Sequence, residues 1–326
     1  MIRRIAIMLI LAFSSLFLFS QEETGEIIRW VRQYPAENAA KERGFFQKLD
    51  AFVFGAKPAL MNKPVAVLTD GQNLSYILSQ ENGAILKISD KKTVSLNDHL
   101  SKSAYHFPSL VSMCLLPGKG LLFTDSYLNQ AMLISEDEKN VSSFTTGKEL
   151  DKPTGIAYSK ITDQVWIIET GAHKISVFDS FGVFIKSIGQ RGVGPGEFNF
   201  PTHLWIDDKG IAYIVDAMNF RIQIFDEGGE YISAFGKAGD ATGSLARPKG
   251  IATDSHGNIY VADALFSSIQ IFSKEGDFLY HFGSRGSEKG LFWMPAGIFI
   301  DKKDYIYVSD SYNNRVQVFQ HIKEIK

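Results

Sequence analysis

From Pro64 onward the apolar residues come in short runs rich in Ile, Val, Phe and Tyr, each cut off by Gly, Asp or Asn. One stretch shows the pattern. Residues 251–253 read as a strand, 254–258 (DSHGN) as a turn, 259–262 as a second strand and 269–272 as a third. Lys274, Glu275 and Gly276 then turn the chain into a fourth strand over 278–282. Runs of about four to six β-branched and aromatic residues between such turns predict consecutive antiparallel hairpins. The pattern repeats. Pro64, Pro108, Pro153, Pro201, Pro248 and Pro295 open successive units, roughly 45 residues apart. Six units of four strands each predict an all-β six-bladed β-propeller of four-stranded antiparallel blades around a central channel.

The units also share wording. Pro-x-Gly-Ile-Ala (248–252), a turn of the Asp-x-x-Gly-Asn type (254–258), Tyr-Val-Ala-Asp (260–263) and Arg-Ile-Gln-Ile-Phe (221–225) recur with variation. Between units lie glycines three and four residues apart, as in Gly189, Gly192 and Gly196, then Gly236, Gly239 and Gly243, then Gly283, Gly286 and Gly290. With these motifs the chain resembles the NHL-repeat six-bladed β-propeller family from Pro64 to Phe319. The resemblance is strong in units three to six and degenerate in the first two. Ser79 stands where other units carry an acid, and unit two lacks Gly-Ile-Ala. It implies an interaction platform without catalysis. Six-bladed lyases and lactonases, which hold a metal at the channel mouth, set the alternative. Nucleic-acid binding, known for cytoplasmic NHL proteins, conflicts with the charge and the N-terminus described next.

The last unit runs out after three strands, at Phe319, so the ring needs a fourth strand from elsewhere. Residues 27–34 alternate as a strand does, and 45–55 end in Phe-Gly like Phe282-Gly283. Because Phe45, Phe46, Leu49, Phe52 and Val53 fall at helical spacing, 27–34 is the favoured closing strand and 45–54 a short amphipathic helix. Ahead of them, Arg3 and Arg4 precede an almost wholly apolar run to Phe19, then Ser20 and a polar stretch. That is the layout of a secretory signal peptide, with a retained membrane anchor as the other reading. The expected organisation is a signal peptide over 1–20, a closing strand and short helix within 21–63, and six repeats over 64–326 forming one domain with 21–63. The mature protein is then exported, to a periplasm or outside the cell, with no membrane attachment after cleavage.

Composition adds exclusions. A formal net charge of −2 supplies no basic footprint for nucleic acid. Cys114 is the only cysteine, so no intramolecular disulfide exists, and its apolar run (111–116) predicts a buried, inert thiol. No nucleophile elbow, zincin helix, Cys-x-x-Cys pair or calcium loop occurs. The glycine-rich 192–196 leads into a strand and not a helix start, so it is a connecting loop and no phosphate cradle.

Three groups of residues stand out. Asp125, Glu169, Asp216, Asp263 and Asp310 recur after the second strand, which points to a repeated structural task. Arg221 and Arg315 recur at one repeat position, which suggests pairing with that turn or with a neighbouring blade. Histidines form the second group. His203 replaces a repeat glycine (Gly155, Gly250, Gly297), and His173 and His106 are expected at the same channel mouth. His256 falls in a turn on the opposite face. If the chain is an enzyme, His203 and His173 are the catalytic candidates, and His203, His173, Glu169 and Asp216 would hold calcium or zinc. As a scaffold it needs no cofactor and no catalytic residue. The third group is apolar side chains in turns that should be polar: Tyr127, Met218, Phe220, Phe266 and Tyr312, with Leu265 beside them and Trp293 in an inter-blade loop. These make the expected binding surface for a protein, peptide or glycan partner.

Overall fold

The computed structural model describes residues 27–35, 61–70, 74–89, 92–100 and 106–322. The expected signal peptide (1–20) and short helix (45–54) lie outside the described residues. The strands pair into six four-stranded sheets. Blade 1 comprises β2 (Pro64–Thr69), β3 (Ser75–Ser79), β4 (Ala84–Ser89) and β5 (Lys92–Ser95), and blade 2 comprises β6 (Leu110–Leu116), β7 (Gly120–Asp125), β8 (Gln130–Ser135) and β9 (Val141–Ser143). Blade 3 holds β10 (Pro153–Ser159), β11 (Gln164–Glu169), β12 (Lys174–Asp179) and β13 (Phe184–Ile188). Blade 4 holds β14 (Pro201–Ile206), β15 (Ala212–Asp216), β16 (Arg221–Phe225) and β17 (Tyr231–Phe235). Blade 5 holds β18 (Pro248–Thr253), β19 (Ile259–Asp263), β20 (Ser268–Phe272) and β21 (Phe278–Phe282). Blade 6 supplies only β22 (Pro295–Ile300), β23 (Tyr305–Asp310) and β24 (Arg315–His321) from the C-terminal end. Its fourth strand is β1 (Ile28–Tyr34), antiparallel to β24 with Ile28 opposite His321 and Tyr34 opposite Val316. The closing strand therefore falls where the alternation of 27–34 put it.

The register moves one unit boundary. Pro64, Pro153, Pro201, Pro248 and Pro295 each face the last residue of the second strand. In blade 2 that place is taken by Leu110, opposite Asp125, and not by Pro108. A proline is tolerated at the first residue of a strand, where no ladder bond is missing. Leu110 meets the same demand without one, which is why the proline count misplaced the unit by two residues.

Middle strands show no polar alternation because both their faces are buried. In β15 all five residues are buried, Ala212 and Ile214 packing toward blade 3 and Tyr213 and Val215 toward blade 5. The core is thus divided into six apolar wedges, one at each junction of adjacent blades. Outer strands have no such cover, and Tyr231, Ile232, Ser233 and Ala234 of β17 are exposed.

At the centre the innermost strands must approach closely. A Cβ on Gly250 would sit 2.5 Å from the Ala296 carbonyl oxygen, and one on Gly297 would sit 2.5 Å from that of Val65. Both contacts are with the neighbouring blade's backbone, which cannot step aside, so blades 3, 5 and 6 keep glycine there. Blades 1, 2 and 4 carry Ala66, Ser112 and His203 at this place, and His203 is the largest of the three.

The seam at β1 rests partly on one side-chain pair. Trp30 Nε1 donates to Gln317 Oε1 at 3.0 Å, and the Lys289 ammonium lies 4.7 Å from the Trp30 ring centroid. Trp30→Ala is expected to destabilise the protein by about 2 kcal/mol. Urea unfolding monitored by circular dichroism checks this, and a change within about 0.5 kcal/mol would show that the seam does not depend on Trp30.

Candidate functional site

The second strand of each of blades 2 to 6 ends in a carboxylate that is essentially buried. An ionised group in that position needs hydrogen bonds to replace water. Asp125 accepts from the N–H of Ser109, Tyr127 and Leu128 at 2.9 to 3.0 Å. Glu169 accepts from Asp151 N–H at 3.0 Å and from the Ser176 hydroxyl, with Lys148 Nζ at 3.3 Å. Asp216 accepts from Asn199 N–H at 2.7 Å, from Asn219 and Arg221 at 2.8 Å, and from Gln223 at 3.1 Å. Asp263 takes the N–H groups of Ala246, Arg247, Leu265 and Phe266. Asp310 accepts from Trp293 N–H and Arg315 Nε at 2.7 Å and from Asn313 and Gln317. Burial still pushes the Asp310 carboxyl above the usual carboxylate range, against the opposing pull of these donors. Arg221 and Arg315 do pair with the acids, and each also donates to loop carbonyls.

A second clamp had gone unnoticed in the sequence. Gln223 Nε2 donates to the Glu197 carbonyl at 2.7 Å while its Oε1 accepts from Gly196 N–H at 3.0 Å. Gln270 does the same with Ser244 and Gly243, and Gln317 with Leu291 and Gly290. Each clamp fixes a glycine-bearing connection and seats one buried apolar side chain beside it: Phe198, Leu245 or Phe292. The recurrence of Gln at the third residue of β16, β20 and β24 was the available signal.

These bonds place the loops of one face. The ends of the second strands lie opposite the starts of the first, so the turns after β7, β15, β19 and β23 share a face with the segments entering β14 and β22. Tyr127, Met218, Trp293 and Tyr312 are exposed there, Tyr127 at 76%. Trp293 and Tyr312 lie together with ring centroids 5.5 Å apart. Phe220 and Phe266 are only half-buried, and Phe220 packs on the wedge between blades 4 and 5. Leu265 is exposed beside Phe266. Phe200, not singled out from sequence, is exposed on this face and lies 4.3 Å from the His173 ring.

The channel holds a cavity of about 170 Å³ lined by residues of all six innermost strands, among them Val67, Cys114, Ile156, His203, Trp205 and Phe299. Cys114 is half-buried where the sequence pattern predicts a buried thiol, and burial pushes it up to about 12, which keeps it protonated. His203 reaches this cavity. Its Nδ1 is sealed from water with no hydrogen-bond partner, and burial, with Lys249 adding to it, lowers the imidazole to about 3. His173 is buried elsewhere and its Nδ1 accepts from Phe200 N–H at 3.1 Å. His106 is exposed, and His256 lies in the turn after β18 with its N–H bonded to Asp254. Glu169 and Asp216 direct their oxygens into their own blades' loops. Among the described residues no group of three or more His, Cys, Asp and Glu side chains is arranged to hold a metal. Nor, among the same residues, is any helix long and apolar enough to cross a membrane.

Comparison with known proteins agrees with this architecture. A family model described as a 6-bladed beta-propeller matches residues 149–235, and one described as the NHL repeat matches residues 292–319. NHL repeat-containing protein 3 of Homo sapiens is 34% identical over 79 residues, which is 21% of this chain and 23% of that protein's length. Two solved structures share the fold. Virginiamycin B lyase from Staphylococcus aureus superposes with a TM-score of 0.59 at 13% identity over 82% of this chain and 97% of its own. An auxiliary nutrient binding protein from Bacteroides thetaiotaomicron does so with a TM-score of 0.62 at 14% identity over 81% and 70%. Blade number and strand order make this chain a six-bladed β-propeller, and residues 292–319 match the NHL repeat. At these identities the solved structures speak for the fold alone.

Two outcomes follow from the site's electrostatics. Arg315→Ala leaves the buried Asp310 without its charged donor and is expected to cost about 3 to 5 kcal/mol. Arg221→Ala, whose side chain is more exposed, should cost less. Chemical denaturation of both variants measures the ranking. The second outcome concerns pH. Unfolded His203 titrates near its ordinary value of about 6.5, whereas the folded side chain does so at about 3. Between those values the unfolded chain binds the extra proton, so this residue lowers stability as pH falls. Relative to His203→Gly, the native protein should lose thermal stability from about pH 7 to about pH 4. Parallel melting curves would count against the buried neutral imidazole.

Proposed function

We propose that this propeller is an exported, non-catalytic scaffold whose loop face binds a protein, peptide or glycan partner. The observation that carries the reading is the set of exposed apolar side chains on one face, Tyr127, Met218, Trp293 and Tyr312, on loops anchored by buried carboxylates. Aromatic residues held on rigid loops lose little entropy on contact and are favoured as binding anchors. Trp293 and Tyr312 are tied by their backbones as well, Tyr312 N–H donating to the Trp293 carbonyl at 3.1 Å. The auxiliary nutrient binding protein with the same fold gives a precedent for a propeller in binding.

The alternative, a metal-dependent lyase or lactonase at the channel mouth, has a precedent of fold in the lyase. It is the weaker reading because Glu169 and Asp216, two of its four candidate ligands, have their oxygens committed to donors in the loops and strands of their own blades. Export follows from the basic and apolar start of the sequence, and mass spectrometry of the protein isolated from its producing cells would identify the mature N-terminus.

The partner-binding test uses the combined variant Tyr127→Ser, Trp293→Ser, Tyr312→Ser. Exposed substitutions of this kind change stability by about 0.5 kcal/mol or less each. Peptide-library and glycan-array binding should fall at least about tenfold with the melting temperature preserved. Undiminished binding by the folded variant would move the site away from this face.

A further inference from the structure

The channel mouth is not equivalent all the way round. In blades 2, 3 and 6 a hydroxyl follows the buried acid of the second strand: Ser126, Thr170 and Ser311. The Ser126 hydroxyl bonds that of Ser109 at 2.8 Å. Thr170 Oγ1 bonds Thr154 Oγ1 at 2.7 Å and donates to the Pro201 carbonyl of the next blade at 2.6 Å. Ser311 Oγ donates likewise to the Pro64 carbonyl at 2.6 Å. Blades 4 and 5 carry Ala217 and Ala264 instead, so no hydroxyl is offered there.

Two of the five buried side-chain polar atoms without a partner among the described residues lie where this rung is missing. Thr202 is the counterpart of Thr154, and its Oγ1 is buried with no partner. The next residue, His203, has its Nδ1 buried with no partner and lines the cavity. Across the junction, Lys249 occupies in blade 5 the place that Thr202 occupies in blade 4, one residue before the cavity-lining Gly250. Lys249 is half-buried and forms no ion pair among the described residues. The charges that reach it are Arg247 and Lys63, and together with burial they lower its ammonium. Native proteins leave few buried polar atoms unsatisfied, at a cost of about 1 to 3 kcal/mol each. Two such atoms and an unneutralised cation at a single junction amount to a donor set without its acceptor.

We infer that the junction of blades 4 and 5 at the channel mouth binds the carboxylate of a small organic acid whose apolar body enters the channel. Lys249 supplies the charge, and Thr202 and the neutral His203 imidazole each supply a hydrogen bond. Arg247 and Lys63 add an attractive field. Below them Ile156, Leu204, Ile251 and Ile298 offer an apolar wall, which favours an acid with a hydrocarbon or aromatic body over a bare inorganic anion. This small-ligand site opens at the axis of the same face and shares no residue with the exposed apolar set used for a large partner.

The test is calorimetric titration of the purified protein with acetate, hexanoate and benzoate, with benzamide and inorganic phosphate as controls. Hexanoate or benzoate should bind at least about tenfold more tightly than acetate, benzamide or phosphate. Lys249→Met and Thr202→Val should each weaken that binding at least about tenfold, and the nitrogen resonances of His203 should shift on addition of the acid. Removing an unpartnered buried hydroxyl leaves stability unchanged or improved, so an undiminished melting temperature for Thr202→Val keeps its loss of binding interpretable. Ile232→Ser, on the exposed outer strand of blade 4, should bind the acid as the native protein does, which ties the effect to the channel mouth. Binding of none of the three acids, equal binding of benzamide or of phosphate, or full retention by Lys249→Met would each overturn the inference.

Discussion

A buried carboxylate has to be surrounded by donors, and five of the six blades in this propeller have one at the end of the second strand. Each accepts a backbone N–H from the segment entering the first strand of the same blade. Asp125 and Asp263 also take backbone N–H groups of the turn that follows, whereas Asp216 and Asp310 take side-chain donors from that turn and the third strand. In these four blades one side chain fixes two loops at once and sets the start of the innermost strand; in blade 3 Glu169 fixes the entering segment alone. Blade 1 has Ser79 at this place, and the same geometry is met by a weaker pair in which Asn62 N–H donates to Ser79 Oγ and that hydroxyl donates to the Asn62 carbonyl. The loop face is rigid because these local networks are satisfied, and the arginines and glutamines extend them outward to the glycine-bearing connections in blades 4 to 6.

The apolar core obeys a different rule. A propeller has no single centre of packing, only wedges between adjacent sheets, and each middle strand contributes alternate residues to two of them. The toroid leaves its axis open, and what lines the axis is decided by how closely the innermost strands approach. Glycine permits the closest approach. Ala66, Ser112 and His203 are where that rule is relaxed, and the largest of them, His203, has unmatched polar groups around it.

Much of this was legible beforehand because the repeat enforces itself through chemistry that admits few substitutes. Proline at a strand start and an acid at a strand end each recur in five blades, so the blade count, the closing strand and a structural task for Arg221 and Arg315 were readable, though not that the acids are their partners. The errors arose where another residue does the same work. Leu110 replaces a proline, and counting prolines put the second unit at Pro108. The clamp formed by Gln223, Gln270 and Gln317 was overlooked because a glutamine inside a strand looks like an ordinary polar position. Exposure was harder still. Phe220 stands four residues after its acid and Phe266 three, and both turn partly inward, whereas Tyr127, Met218, Leu265 and Tyr312 all stand two residues after the acid and are exposed, a distinction visible only when the turns are aligned on the acid. The unmatched atoms of Thr202 and His203 depend on alanines at 217 and 264, a relation between blades that exists only once the ring is built.

Blade 6 is the one sheet made from both ends of the chain, with Ile28 beside His321. An open array of repeats has two terminal units, each needing a polar cap over the face it cannot bury. Pairing β1 with β24 removes both ends at a stroke, so the propeller behaves thermodynamically as a cycle with no first or last unit. The entropy of joining segments so far apart in sequence rises only logarithmically with their separation, while the closure completes two apolar wedges together, one on each side of blade 6. Opening the molecule at that seam would expose both. Stability is therefore held in common by the whole circle, and a weakness in any one blade is felt by all six.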